Sequence, residues 1–223
     1  MTRLRSAGFL LITLVIPIFL IMTAIRVLLI PYIYVDVEYN RPGFPPDTYG
    51  FTLQDRLKWS KISIDYLLND QPIGWLANQK LADGSPLYNE RELGHMVDVK
   101  NLIQLMFPIW WALLALLVLI GMLSWRFKGL RYYWKALSNG GWLTVALIVA
   151  VLIFVVTSFD ALFTNFHLLF FSGDTWLFQF SDNLIRLFPV PFWQDAFIWV
   201  GVLSTVFALL LGYFGRILSK RSS

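Results

Sequence analysis

LIQLMFPIWWALLALLVLIGMLSW, the stretch Leu102–Trp125, carries no ionisable side chain from end to end. A helix rises 1.5 Å per residue, so about 20 apolar residues are enough to cross about 30 Å of hydrocarbon. The same kind of run recurs at Ala7–Tyr32, Gly141–Phe163 and Phe192–Ile217. Four such runs predict an all-α polytopic membrane protein with four transmembrane helices. Composition agrees: 57% of residues are hydrophobic and 14% charged, against about 25% charged in a soluble domain. The first run is too long for a signal-peptide core and no small-x-small cleavage site follows it, so it reads as a retained span.

Charge orients the spans. Arg3 and Arg5, then Arg126, Lys128, Arg131 and Lys135, then Arg216, Lys220 and Arg221 lie in three segments free of acid. All the Asp and Glu residues fall in, or at the edges of, the other two connections. The positive-inside rule then puts both termini and the 126–140 loop in the cytoplasm. Segments 33–101 and 164–191 face outward, as a mainly helical extracytoplasmic cap with room for a short strand element. There is no internal repeat or linker, so residues 1–223 read as a single membrane domain. With no cysteine in the chain, packing and the membrane must hold that cap.

Within the first outward segment, Tyr32, Ile33, Tyr34, Val35 and Val37 are β-prone and read as extended, until Arg41-Pro42-Gly43-Phe44-Pro45-Pro46 breaks regular structure. A helix is expected over Thr52–Asn69, opened by Thr52 and Asp55 in the manner of a capping box. Leu53, Leu57, Ile64, Leu67 and Leu68 would form its apolar face. Asn89 with Glu92 marks a second helix start, and that helix can run through His95 and Asp98 into the second span, with Pro108 kinking it or marking where the outer and membrane parts meet. The second outward segment is too apolar for a solvated loop. Asp174 is expected to cap a helix over Thr175–Leu187, and Trp176, Phe178, Phe180, Trp193 and Trp199 fit an aromatic interface belt.

Few residues can carry chemistry. His95 and His167 are the only histidines and, without cysteine, the only side chains that normally titrate near neutrality. Both sit beside the outer end of a predicted span, near Glu92 and Asp98 in one case and Asp174 in the other, and a carboxylate one helical turn away can orient an imidazole. Arg26 lies in the outer third of the first span. It can snorkel, pair with Asp160 or Asp195, or clamp an ester oxygen or a phosphate. No Gly-x-Ser-x-Gly, no His-Glu-x-x-His and no close histidine pair occurs, so neither a serine-nucleophile motif nor a metal-ligand cluster is present. These residues support an outward site at the leaflet surface, of unspecified chemistry.

Two segments add a resemblance. Tyr88-Asn89-Glu90-Arg91-Glu92-Leu93-Gly94-His95-Met96-Val97-Asp98-Val99-Lys100 and Phe166-His167-Leu168-Leu169-Phe170-Phe171-Ser172-Gly173-Asp174-Thr175-Trp176 resemble the two signatures of the lipoprotein intramolecular transacylase family, bacterial membrane proteins of four spans. The resemblance extends over nearly the whole chain in length, span layout and motif order. It implies a bacterial plasma-membrane enzyme that acts on a lipoprotein whose N-terminal cysteine carries an S-diacylglyceryl group and a free α-amine. The family enzyme moves the sn-2 acyl chain from glycerol to that amine. Carried onto this sequence, the resemblance implies His95 and His167 as catalytic. Tyr88, Asn89, Arg91, Glu92, Asp98, Asp174 and Trp176, with Arg26, bind or orient the substrate. Either histidine can be the base, and Arg91, Arg26 or backbone N–H groups can stabilise the oxyanion. No metal or other cofactor and no nucleic acid is implied; the partners are the diacylglyceryl lipoprotein N-terminus and membrane lipids. Competing readings are a non-enzymatic assembly or chaperone subunit and a haem-binding redox subunit. A transporter fits least, because the spans carry almost no polar residues away from their outer ends.

Overall fold

The computed structural model describes residues 3–30 and 32–222, with side chains from Ala7 onward. Pro31 and the side chains of Arg3 and Arg5, which enter the reading of the first span and its charge, lie outside the described residues. The described chain is almost entirely helical: α1 (Arg3–Leu29), α2 (Ile33–Tyr39), α3 (Leu53–Leu68), α4 (Ile73–Ala77), α5 (Glu90–Arg126), α6 (Leu130–Thr157), α7 (Phe159–Phe170), α8 (Asn183–Leu187) and α9 (Val190–Arg221). Helices α1, α5, α6 and α9 are long and apolar enough to cross a membrane, so the chain is a multi-pass membrane protein. Among the described residues the only β pairing is an isolated bridge between Lys80 and Pro86.

The chain divides into two compact units. The membrane unit comprises Met1–Val27, Phe107–Thr157 and Phe197–Ser223. Ile12, Ile16, Leu20, Leu117, Tyr133, Ala136, Leu137 and Ala208 form its buried cluster. Lipid is as apolar as leucine, so helices here gain by approaching closely rather than by escaping water. Gly141 permits such an approach: a Cβ at that position would lie 2.6 Å from the Ala208 carbonyl oxygen and 2.8 Å from the Gly212 nitrogen. Ser138 adds a hydrogen bond from its Oγ to the Gly212 carbonyl at 2.7 Å.

The second unit comprises Leu28–Met106 and Ser158–Ala196. Its core is built from Tyr34, Val35, Trp59, Tyr66, Leu76, Leu87, Tyr88, Met96, Leu184, Leu187, Phe188 and Phe192. Helix α5 belongs to both units, and the boundary at Met106–Phe107 falls next to Pro108, through which the helix continues. Its 37 residues span about 55 Å, well beyond the roughly 30 Å of hydrocarbon, so the polar turns that precede Leu102 stand outside the apolar portion.

Four expectations need correction. Residues 33–39 are helical rather than extended. Tyr34, Val35, Glu38 and Tyr39 are buried, a helical spacing, and the two phenols donate to the carbonyls of Phe192 and Leu187. Tertiary contacts therefore outweigh local β-propensity. On α3 the capping box of Thr52 and Asp55 forms, but the buried face is Arg56, Trp59, Ser60, Ser63, Ile64 and Tyr66. Leu53 and Leu68 are exposed, and Arg56 is drawn inward because it donates to the carbonyls of Pro45 and Arg186. The third apolar run is two helices. Helix α6 ends at Thr157, and α7 starts at Phe159 after Ser158 leaves helical geometry (φ −153°, ψ 47°); apolar residues on both sides hide the break from a hydropathy reading. Finally, only Asn183–Leu187 of the expected Thr175–Leu187 helix is helical, since side chains from α5 engage the polar groups of residues 175–184.

Candidate active site

Within the second unit, the N-terminal turns of α5 and the segment after α7 are fastened together at successive points. Asn89 opens α5: its Oδ1 accepts from the Glu92 N–H at 3.0 Å while the Glu92 Oε2 accepts from the Asn89 N–H at 2.7 Å. This reciprocal cap satisfies two N–H groups that a helix start leaves unpaired. The other carboxylate oxygen of Glu92 accepts from the Leu184 N–H at 2.6 Å. Asn89 Nδ2 donates to Asp182 at 3.2 Å. Arg91 Nη1 donates to the Leu177 carbonyl at 3.0 Å, and one face further along α5 Asp98 accepts from the Thr175 hydroxyl at 3.2 Å. Tyr88 is buried, its hydroxyl 2.6 Å from the Ser63 Oγ of α3. Asn89, Arg91, Glu92 and Asp98 thus position the segment after α7, while Tyr88 ties the start of α5 to α3.

That scaffold brings the two histidines together. His95 on α5 and His167 in the last turn of α7 have ring centroids 5.8 Å apart in planes inclined by 23°. Each is only 7% exposed. Phe171 lies 5.0 Å from the His95 ring and 5.4 Å from that of His167. Phe178 packs edge-on against His95 at 5.4 Å, and Phe163 and Trp176 lie against His167 at 4.2 and 4.9 Å. Trp176 and Phe178 therefore face the imidazoles instead of joining an interface belt, whereas Phe180, Trp193 and Trp199 are exposed.

Protonation follows from this setting. The Nδ1 of His167 is 2.8 Å from the Phe163 carbonyl oxygen. A carbonyl only accepts, so Nδ1 carries the hydrogen and the neutral ring keeps its lone pair on Nε2. The Nδ1 of His95 is buried without a hydrogen-bond partner among the described residues. Burial, which disfavours the charged ring, and to a lesser extent the neighbouring His167 together bring His95 down from 6.5 to about 4. Burial also pulls His167 below its ordinary value, opposed by the bond to Phe163. Two like charges at this separation repel in a poorly solvated site, so the pair favours carrying no more than one positive charge.

The remaining candidates lie elsewhere or do other work. Among the described residues no carboxylate hydrogen-bonds either imidazole; Glu92 and Asp98 are engaged as above, and Asp174 is an exposed residue whose carbonyl closes a turn to Leu177. Arg26, in the membrane unit, lies over the Trp110 ring at 4.2 Å, with Phe107 and Trp111 nearby. Asp195, one of its two expected partners, is paired with Arg41 at 2.5 Å. Phe163, Phe171 and Phe178 escaped the sequence reading. Phe163, His167 and Phe171 are spaced by four residues, a helical signal that was hidden because the break at Ser158 is silent; nothing local marks Phe178. Among the described residues no three His, Asp or Glu side chains converge as metal ligands.

Residues 10–193 match the family described as lipoprotein intramolecular transacylase Lit. An uncharacterized protein from Aquifex aeolicus (strain VF5) is 30% identical over 188 residues, 84% of this chain and 83% of that one. The membrane-integral lipoprotein intramolecular transacylase Lit from Bacillus cereus has the same fold, with a TM-score of 0.74 at 22% identity over 97% of this chain and 98% of the other. A variant of it with a histidine replaced by alanine superposes with a TM-score of 0.68 at 21% identity, covering 98% and 96%. With the family match spanning most of the sequence, the chain belongs to the lipoprotein intramolecular transacylases, a family of membrane acyltransferases.

Proposed function

We propose that this enzyme moves the sn-2 acyl chain of an S-diacylglyceryl cysteine to the α-amine of the same cysteine, at the outer leaflet, with His167 and His95 handling the proton. The observation that carries this reading is the pair of stacked, buried imidazoles, with His167 fixed in the tautomer that leaves Nε2 basic. Ester and amine belong to one molecule, so the site has only to fold the head group until they meet, and such positioning can supply several kcal/mol.

The α-amine has a pKa near 7.7–8 and is mostly an ammonium at pH 7. The ammonium first gives up one proton to water, which frees the nitrogen lone pair; as the free amine attacks the ester carbonyl carbon, His167 Nε2 accepts a second proton from it. The C–N bond forms, a tetrahedral intermediate collapses, and the C–O bond to glycerol breaks. The expelled glycerol oxygen takes a proton back through His95 or His167. General acid–base help of this kind is worth about 10²–10⁴-fold. The product is an N-acyl, S-monoacylglyceryl lipoprotein, and no acyl-enzyme is needed. The acid-free, basic segments of the sequence support cytoplasmic termini and an outward site.

The test is expression of the full chain in a bacterial host that makes only diacyl lipoproteins. Transfer within one molecule leaves the mass of the N-terminal lipopeptide unchanged, so tandem fragmentation must locate the acyl group. An amide-linked acyl on the cysteine nitrogen supports the reading; lipopeptides that all retain a free amine would reject it.

A further inference from the structure

The oxyanion formed in that reaction needs a hydrogen-bond donor, and neither arginine that the sequence offered is a free donor beside the histidines. The Arg91 guanidinium donates to the Leu177 carbonyl, and Arg26, whose Nη1 is buried without a hydrogen-bond partner among the described residues, belongs to the membrane unit, where it lies over the Trp110 ring. One other donor adjoins the histidines. Trp176 Nε1 is buried and has no hydrogen-bond partner among the described residues, and the indole lies 4.9 Å from the His167 ring, centroid to centroid, at an inclination of 34°. An indole N–H can donate and cannot accept. A buried donor left unpaired is destabilising, and a carbonyl oxygen on the substrate would relieve it.

Trp176 is also held from both sides. Thr175, just before it, donates to Asp98, and the carbonyl of Leu177, just after it, accepts from Arg91. Both anchors belong to α5, the helix that carries His95. The position of the indole is thereby built into the same scaffold as the histidine pair, which is what a preorganised donor requires.

We propose that the Trp176 indole N–H is the oxyanion donor of the transacylation. This rests on the O-to-N acyl transfer proposed above. As the amine nitrogen adds to the carbonyl carbon, the carbonyl π electrons move onto its oxygen, and Nε1–H donates to that oxygen without giving up its proton. Collapse returns those electrons, expels the glycerol oxygen and weakens the bond to the indole. The donor stabilises charge that develops in the transition state, so its loss should fall on kcat rather than KM.

The experiment uses the full chain in detergent micelles, a synthetic diacylglyceryl-cysteinyl lipopeptide as substrate, and Trp176→Phe, which keeps an aromatic ring but removes the N–H. Expected is a fall in kcat of about 10²-fold with KM within about threefold. A second arm places fluorinated tryptophans at position 176 alone; kcat should rise with N–H acidity, and this arm decides the matter should Trp176→Phe fail to fold. A Trp176→Phe enzyme with kcat within threefold of the parent, or a fluorinated series without a trend, overturns the proposal and leaves the transfer reaction intact. Absence of N-acyl product from the parent enzyme overturns both.

Discussion

The imidazoles of His95 and His167 stack 5.8 Å apart although they come from different helices, α5 and α7. The two rings differ in one respect that matters for chemistry: the Phe163 carbonyl fixes the tautomer of His167, while the Nδ1 of His95 is buried without a hydrogen-bond partner among the described residues. A ring of fixed tautomer suits a base that must always present the same lone pair. A ring without such a tie can move a proton between its two nitrogens.

Replacing His167 by alanine should lower kcat by at least about 10²-fold, and His95→Ala by about 10-fold or more. Tandem fragmentation that locates the acyl group on the lipopeptide gives both rates. A His167→Ala enzyme with more than half the parent rate would remove that residue from the mechanism.

Burial keeps His167 neutral to lower pH than an ordinary histidine. Below the limb set by the substrate amine near 7.7–8, the kcat profile should therefore steepen at a second midpoint lower than 6.5, the unperturbed histidine value. A second midpoint above 6.5 would contradict this assignment.

Stability should show the same sign at His95. Its pKa is about 4 in the fold against 6.5 as the ordinary value, so between those pH values the unfolded chain binds more protons. Stability is then full above about pH 6.5 and is lost as pH falls toward 4, by roughly 3 kcal/mol. Acid unfolding of His95→Phe should have a shallower slope over that window, measured by tryptophan fluorescence in micelles.

Arg91→Ala and Asp98→Ala each release one of the anchors flanking Trp176. Hydrogen exchange of residues 174–182 should accelerate about 10-fold or more while that of α3 stays the same. Unchanged exchange in both variants would mean that the anchors do not hold this segment in solution.

Glu92→Ala should destabilise the second unit by about 2–3 kcal/mol, because it leaves the Asn89 and Leu184 N–H groups without acceptors. Gly141→Val tests the membrane unit, where a Cβ would meet the Ala208 carbonyl. Thermal unfolding in detergent should show a lowered midpoint for both.

How much of this was legible beforehand depended on the range of the interactions. Four spans could be read because crossing hydrocarbon requires a long apolar run, and that requirement acts on each segment alone. The caps at Thr52 and Asn89 could be read too, since a cap is settled within four residues. Ile33–Val37, by contrast, reads as extended and folds within helix α2, because the partners of Tyr34 and Tyr39 are Phe192 and Leu187. The break at Ser158 left no mark in hydropathy, and with it went Phe163 and Phe171 as walls of the site.

By itself the sequence determined the membrane class, the charge asymmetry and the short roster of groups able to move a proton. Tertiary structure decided that His95 and His167 meet, which nitrogen of His167 bears the hydrogen, and that Arg91, Glu92 and Asp98 bind Leu177, Leu184 and Thr175 rather than the imidazoles. Composition and spacing constrain what each segment can do in its own surroundings. Contacts between α5 and the chain after α7 exist only once distant segments pack, and those contacts set the burial and hydrogen bonding on which the chemistry depends.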